Sequence, residues 1–365
     1  MELFFKVILT DFYDTFLILK TTKYDKQYYP FKILTPMKKL LLLTILIAFI
    51  TQSCNLGTHS TWKDENIESS VRNEIRELDE KVLKAVTTNN TTLIKSIMAK
   101  ELLEKSGDNI DQLILQASNI ITSTDYRILN QFQVKNTTTN IGNTVVSGLN
   151  APNDYIIQYK ALNKEMFVSL LIPKNELNEF IITNIYGKSP EGWKLNILQF
   201  GQYKINGQTA PELYSIAKDK LEKGHLVDAA NSMFLCSLVA KPANQFWQYQ
   251  NEDQMKSLQE EILGKINEQY TFPLTINEIE SKPQILTIHP QGVQEGFYPM
   301  IEYLTTIDLK DTISTKLENN KLHSLIGKMF KGIDQDKDYI LYKAFSQMPD
   351  GKTPVPTYGF VKKLK

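Results

Sequence analysis

The sequence is poor in the side chains that most often build metal and redox sites. It has two cysteines and four histidines in 365 residues. The histidines (His59, His225, His289 and His323) are far apart, and none has a neighbour at the spacing of zinc ligands. We therefore expect neither a metal ion nor a cofactor.

Local signatures of nucleotide binding and nucleophilic catalysis are also missing. The chain has no Walker loop, no dinucleotide fingerprint and no G-x-S-x-G sequence. Asp334, Asp336 and Asp338 stand at alternate positions, as at the start of an EF-hand loop. Calcium binding there would need a glycine where Tyr339 stands and a glutamate where Phe345 stands. A solvated turn is therefore the favoured interpretation.

An excess of either charge is absent too, since 41 basic residues balance 41 acidic ones. Nucleic-acid binding requires a clustered basic face, and no such cluster is visible along the chain. The sequence also has no polybasic run for anionic lipid. Nucleic acid is thus excluded as a partner.

What is present is a basic start followed by a short apolar run in residues 37–54. Lys38 and Lys39 lead into residues 40–50, about 11 residues or roughly 16 Å as a helix. A bilayer-spanning helix needs about 20 residues, so this run has instead the length of a signal-peptide core. The alternative is a buried apolar helix that ends in a cysteine by chance.

The end of this stretch resembles the lipobox of bacterial lipoproteins, because Ser53 directly precedes Cys54. Thr51 and Gln52 depart from the small apolar residues usual in that family. The resemblance implies that residues 37–53 are removed and that the Cys54 thiol receives diacylglycerol, often with acylation of the new amino group. Residues 1–36 are then interpreted as an upstream mis-start, the alternative being a real N-terminal segment.

Cleavage before Cys54 would leave 312 residues, which predicts two or three domains. The lipid on Cys54 is expected to be the membrane partner, and Asn55 favours the outer membrane over the inner one by resemblance to lipoprotein sorting. Cys236 would be the remaining cysteine, so an intramolecular disulfide is excluded. Its apolar neighbours predict a buried thiol.

The periodicity of the mature chain predicts an α+β fold. Residues 54–65 are polar and are predicted to be a flexible lipidated tether. Three amphipathic helices are predicted next, the first with the stripe Val71, Ile75, Leu78, Val82 and Val86. Six runs with period two follow, at residues 126–134, 144–149, 154–162, 166–172, 179–186 and 193–203. We expect helices packed on a curved, cone-like antiparallel sheet.

This order of elements resembles the NTF2-like or cystatin-like fold over residues 66–205, with a first helix IRELDEKVLKAVTTNN and a late strand GWKLNILQFG. Enzymes of that fold commonly place Asp or His in an apolar pocket. No histidine lies between His59 and His225, so the resemblance does not extend to a histidine proton shuttle.

Two further regions complete the chain. Residues 206–270 are predicted to be a helical hairpin region, in which Ala217, Gly224 and Ala229 resemble a single tetratricopeptide hairpin. One copy does not make a repeat array, so a helical linker is favoured. Residues 271–365 are predicted to form a second small α+β domain, with a helix over residues 312–331 between strands.

Five aromatic residues are candidates for contact with a ligand or partner: Phe246, Trp247, Tyr249, Tyr126 and Tyr155. The first three stand in a polar setting, NQFWQYQNED, where exposed rings would suit a glycan or a protein. Tyr126 and Tyr155 are candidates for the mouth of a pocket. For all five the alternative is core packing, and it is favoured.

These features favour a non-catalytic, membrane-anchored lipoprotein of the bacterial cell envelope that binds a protein or glycan. The alternative is a hydrolase or isomerase that uses a pocket of the NTF2-like domain. That alternative predicts a deep cavity with a buried Asp or Glu whose pKa is raised.

Overall fold

A computed structural model describes residues 58–364 except residues 108 and 175–177. This part of the chain contains eight α-helices and thirteen strands in three sheets, which confirms the α+β class. The predicted signal peptide, the predicted lipidation residue Cys54 and residues 1–36 lie outside the described residues.

The helices of the described part alternate with strands in two places. The helices are α1 (Ser69–Thr87), α2 (Thr91–Ile97), α3 (Lys100–Ser106), α4 (Asn109–Ser118), α5 (Ala210–Glu222), α6 (Leu226–Val239), α7 (Glu252–Gln269) and α8 (Thr312–Met329). The strands are β1 (Thr58–Lys63), β2 (Tyr126–Asn136), β3 (Ile141–Val146), β4 (Tyr155–Ala161), β5 (Glu165–Pro173), β6 (Phe180–Ser189), β7 (Gly192–Gln202), β8 (Trp247–Tyr249), β9 (Leu274–Thr275), β10 (Gln284–Val293), β11 (Gly296–Leu304), β12 (Tyr339–Phe345) and β13 (Thr357–Lys363).

The chain divides into two compact units that interleave along the sequence. The first comprises the described residues up to Thr144 together with Tyr159–Pro173 and Thr183–Leu198. The second comprises Val145–Gln158, Lys174–Ile182 and the residues from Gln199 onward. The predicted domain boundaries after residues 205 and 270 stay predictions.

The first unit is organised on a five-stranded sheet with the order β1-β2-β5-β6-β7. Strand β1 pairs antiparallel with β2 from Thr58 opposite Asn136 to Lys63 opposite Phe132. The flexible tether predicted over residues 54–65 is therefore wrong from Thr58 onward, where the chain is an edge strand. Threonine and tryptophan in this stretch favour extended backbone, and pairing with β2 satisfies its peptide groups.

Four helices, rather than the three predicted, belong to the first unit. The stretch predicted as one helix is broken between α2 and α3, because the Ala99 amide donates to the Leu195 carbonyl at 2.8 Å and Met98 bridges to the same residue of β7. The N-cap of α2 is Asn90, not Thr91 or Thr92, since its side chain accepts from the Leu93 amide at 2.9 Å.

The second unit contains the helical hairpin α5–α6 and a five-stranded sheet with the order β13-β12-β11-β10-β9. Strands β11 and β12 are parallel, with α8 as the connection between them. The core of this sheet includes Ile301, Tyr342 and Leu322, and Val227 of α6 packs with them. A third sheet has the order β3-β4-β8.

Gly201 in β7 marks a close backbone approach within the second unit. A Cβ added there would lie 2.7 Å from the carbonyl carbon of Pro242, and closer still to its oxygen. Backbone atoms cannot rotate away as a side chain can, so any larger residue at position 201 must push the two segments apart.

Replacing Gly201 with alanine is expected to destabilise the second unit by about 1–3 kcal/mol, because the added methyl overpacks against Pro242. Gly359→Ala is the matched control, since the nearest atom to its added Cβ is the Tyr342 oxygen at 4.0 Å. Thermal unfolding followed by circular dichroism should show a lower midpoint for Gly201→Ala alone. Equal midpoints for both variants would contradict the close approach.

Candidate functional site

Three of the five candidate aromatic residues belong to one buried cluster in the second unit. Trp247 is 0% exposed, and Tyr155 and Tyr249 are buried beside it. The Tyr155 ring stacks on the Trp247 ring at 3.8 Å between centroids, and Tyr249 meets it edge-on at 5.4 Å. The β4–β8 ladder causes this arrangement by placing Tyr155 opposite Tyr249 and Ile157 opposite Trp247. These rings fill a core and are not exposed to a partner.

The other two candidates are half-buried. Phe246 directly precedes β8, in the second unit, and Tyr126 begins β2, in the first. The Tyr126 hydroxyl lies close enough to Asp79 for the charge of that carboxylate to raise its pKa. Tyr126 therefore directs attention to the surroundings of Asp79.

Asp79 is the most unusual ionisable group of the first unit, because its side chain is completely buried. One carboxylate oxygen, Oδ1, accepts from the Asn184 amide nitrogen at 2.8 Å and from the Tyr186 hydroxyl at 2.7 Å. The other oxygen, Oδ2, accepts from the Ser169 hydroxyl at 2.7 Å. These four residues are termed the Asp79 network.

Local geometry explains how the Asp79 network forms. Asp79 continues the buried face of α1, because it follows Ile75 by four residues and precedes Val82 by three. Asn184 and Tyr186 are two residues apart in β6, so both side chains point to the same face of the sheet. Ser169 is contributed by β5. The network therefore connects one helix with two strands.

Burial raises the pKa of Asp79 to about 6, because the ionised carboxylate loses its hydration. The three hydrogen bonds oppose this shift, and the charge of the nearby Glu80 adds to it. All three donors are neutral groups, so no cation compensates the charge through a hydrogen bond. Burial and the charge of Asp79 also raise the pKa of the Tyr186 and Tyr126 hydroxyls.

The hydrogen bonds favour the ionised form of Asp79. A carboxylate only accepts, and here it accepts from three donors. A protonated carboxyl must donate, so the Ser169 or Tyr186 hydroxyl would have to rotate and accept instead. Because both oxygens already bind protein groups and the side chain is buried, the network can hold the helix on the sheet. A general base would need reach to a substrate proton.

The remaining candidates have ordinary surroundings. Cys236 is buried, its thiol donates to the Ala210 carbonyl at 3.2 Å, and burial raises its pKa to about 12. Asp334, Asp336 and Asp338 are all exposed. Among the described residues, no group of three or more His, Cys, Asp or Glu side chains is placed to hold a metal ion.

A charged residue within an apolar stripe was the signal for Asp79 in the sequence. The periodicity selects Leu78, which is half-buried in the structure, whereas the adjacent Asp79 is fully buried. Ser169, Asn184 and Tyr186 had no such signal, because polar residues in strands are common and their shared partner is distant in sequence.

Comparisons of the chain with protein-family models, with curated proteins and with solved structures find no match. Within the part of the chain that the structure describes, none of the helices is both long and apolar enough to cross a bilayer. The chain's own residues must therefore carry the functional assignment.

Replacing Asp79 with asparagine is expected to remove a pH dependence of stability. Because the folded-state pKa of about 6 exceeds the ordinary value of 3.8, the native protein holds more protons than the unfolded one between these values. The free energy of unfolding therefore falls as pH rises through this window, by about 3 kcal/mol for this group. Asparagine keeps the shape and has no such titration.

Urea unfolding at pH 4 and pH 7 measures this effect as the difference between wild type and Asp79→Asn. Glu80→Gln is the matched control, since Glu80 is the exposed neighbour on the same helix. A wild-type minus Asp79→Asn difference that stays constant with pH would show that the Asp79 carboxyl titrates as in the unfolded chain.

Proposed function

We propose that this chain is a lipid-anchored, non-catalytic lipoprotein of the bacterial cell envelope, held to the membrane through Cys54, that binds a protein or glycan partner. The observation that carries the proposal is the stretch of residues 37–54, with its two lysines, short apolar run and Ser53-Cys54 end. The outer membrane is the favoured location.

The Asp79 network supports the non-catalytic part of the proposal. Its carboxylate is fully buried, and three protein donors occupy it. A catalytic carboxylate needs contact with a substrate or with one intervening water, which this arrangement does not offer. Holding α1 on the sheet is the role that these contacts favour.

Exposed apolar side chains on α8 support the partner-binding part. Ile313 is 73% exposed and Leu317 is 56% exposed, and they lie one turn apart on the helix. Leu322 and Ile326 of the same helix are buried in the core of the second unit, on the opposite side. An apolar pair that the helix does not bury suits a protein partner better than water.

Replacing Cys54 with serine is expected to release the protein from the membrane, because the thiol that would carry the lipid is removed. Full-length protein expressed in a bacterium should be found in the membrane fraction, and its N-terminal peptide should have the mass of a diacylglycerol-modified cysteine. Cys236→Ala, which removes the other cysteine, is the control and should stay membrane-bound. An unmodified Met1 end on cytosolic protein would refute the proposal.

A hydrolase or isomerase is the second candidate function, and the raised pKa of Asp79 is the observation in its favour. It requires that small molecules reach the carboxyl, whereas the anchored-module proposal requires that they do not. Native protein treated with a water-soluble carbodiimide and an amine should be modified at the exposed Asp125 and not at Asp79. Comparable modification of both residues, measured by peptide mass, would favour the enzyme.

A further inference from the structure

One end of the first unit's sheet is the end closest to Cys54. Strand β1 begins at Thr58, four residues after Cys54. Four residue steps span at most about 14 Å even when fully extended. If Cys54 carries a lipid in the bilayer, Thr58 is therefore held within about 14 Å of the membrane surface.

The strand pairing shows which other segments meet at this end. Thr58 pairs with Asn136, so the end of β2 lies beside the start of β1. Lys135 pairs with Glu165, so the start of β5 is there too. The end of β6 joins them, because Lys188 forms an ion pair with Glu165 at 3.9 Å.

Three connections close this end of the sheet. Residues 137–140 connect β2 to β3, residues 162–164 connect β4 to β5, and residues 190–191 connect β6 to β7. The Asn140 amide donates to the Ala161 carbonyl at 2.6 Å, and the Asn136 amide donates to the Lys164 carbonyl at 2.7 Å. The first two connections are therefore held together by backbone hydrogen bonds.

Lysines outnumber carboxylates at this end, which is termed the basic end. Its ionisable residues are Lys135, Lys160, Lys164, Lys188, Lys194, Glu165 and Glu191. Lys160 and Lys164 are exposed, and Lys135 is exposed with its ammonium group 5.3 Å from the centre of the Trp62 ring. Lys188 pairs with Glu165, and Lys194 donates to the Ser96 carbonyl at 3.4 Å. The basic end therefore has a formal excess of positive charge.

We propose that the basic end rests on the bilayer surface and contacts anionic lipid headgroups. The inference rests on the proposed lipidation of Cys54, and it adds the orientation of the first unit and the chemistry of its second membrane contact. A short link places this end at the membrane, and its lysines favour phosphate-bearing headgroups over neutral ones. Each lysine near an anionic surface contributes a factor of roughly fivefold to its attraction.

The opposite end of the sheet provides the internal comparison. There Tyr126 pairs with Pro173, at the other end of β2. The 11 residues of β2 place its two ends about 33 Å apart. A fluorescent donor on residue 138 or on residue 124 would therefore report which end is nearer to the membrane, since both residues are exposed.

The experiment uses the full-length lipidated protein with Thr138→Cys or Thr124→Cys, labelled with a donor dye and reconstituted in vesicles that contain a headgroup-labelled acceptor. Buried Cys236, with its raised pKa, should not react with the dye. Vesicles consist of phosphatidylcholine alone or of equal parts phosphatidylcholine and phosphatidylglycerol. Mass spectrometry of the N-terminal peptide first establishes that Cys54 is modified.

We expect severalfold higher energy transfer from position 138 than from position 124, with a larger difference in vesicles that contain phosphatidylglycerol. Lys135→Glu with Lys164→Glu should reduce the transfer from position 138 to its value in phosphatidylcholine. Lys174→Glu is the matched control, because Lys174 is exposed and follows Pro173 at the opposite end. It should change nothing.

Two results would overturn the inference while leaving the anchor intact. Equal transfer from both positions on lipidated protein would show that the basic end does not face the bilayer. Transfer that responds neither to phosphatidylglycerol nor to the lysine reversals would show that headgroup charge is not recognised. An N-terminal peptide without lipid on Cys54 would instead refute the proposed function, and the inference with it.

Discussion

The burial of one carboxylate beneath helix α1 is the constraint on which the first unit depends. Taking an ionised group out of water costs several kcal/mol unless hydrogen bonds compensate it. Asp79 obtains that compensation from three neutral donors on β5 and β6, and its pKa of about 6 shows that desolvation still outweighs them. Helix position, strand register and side-chain identity must all agree for these bonds to form. An apolar contact could slide, but this network can close in only one arrangement.

The same contacts separate a structural carboxylate from a catalytic one. A raised pKa marks both, because burial shifts the titration of a group whatever its role. What differs is the use of its oxygens. Both oxygens of Asp79 accept from the protein, and one donor, the Asn184 amide, cannot reverse its polarity by rotation as a hydroxyl can. A pKa shift taken alone would have favoured the enzyme, whereas the hydrogen-bond geometry favours a clamp between helix and sheet.

Periodicity was sufficient to predict most helices and strands, and it failed where long-range pairing decided the structure. The apolar spacing from Val71 to Val86 predicted α1, and alternation predicted the six strands that follow the first helices. The break between α2 and α3 depends on a hydrogen bond to Leu195, far away along the chain, which no local pattern contains. Strand β1 was interpreted as a tether because its residues are polar, and Trp247 was considered open to a partner for the same reason. Both judgements took polar neighbours as a sign of exposure, although backbone pairing can order a polar segment and bury its rings.

Charge at the basic end illustrates the same limit from the opposite side. Lys135, Lys164 and Lys188 are too widely spaced to form a basic run, so the sequence predicted no lipid-facing patch. An antiparallel sheet brings the end of one strand beside the start of the next, and a regular spacing along the chain becomes a cluster at one edge. Lysines in the β2–β5–β6 region meet there through the pairing that also aligns Ser169 and Asn184 beneath Asp79. The hydrogen-bonded clamp and the charged end are thus two consequences of one strand order. A change that shifts the register of β5 must therefore disturb both.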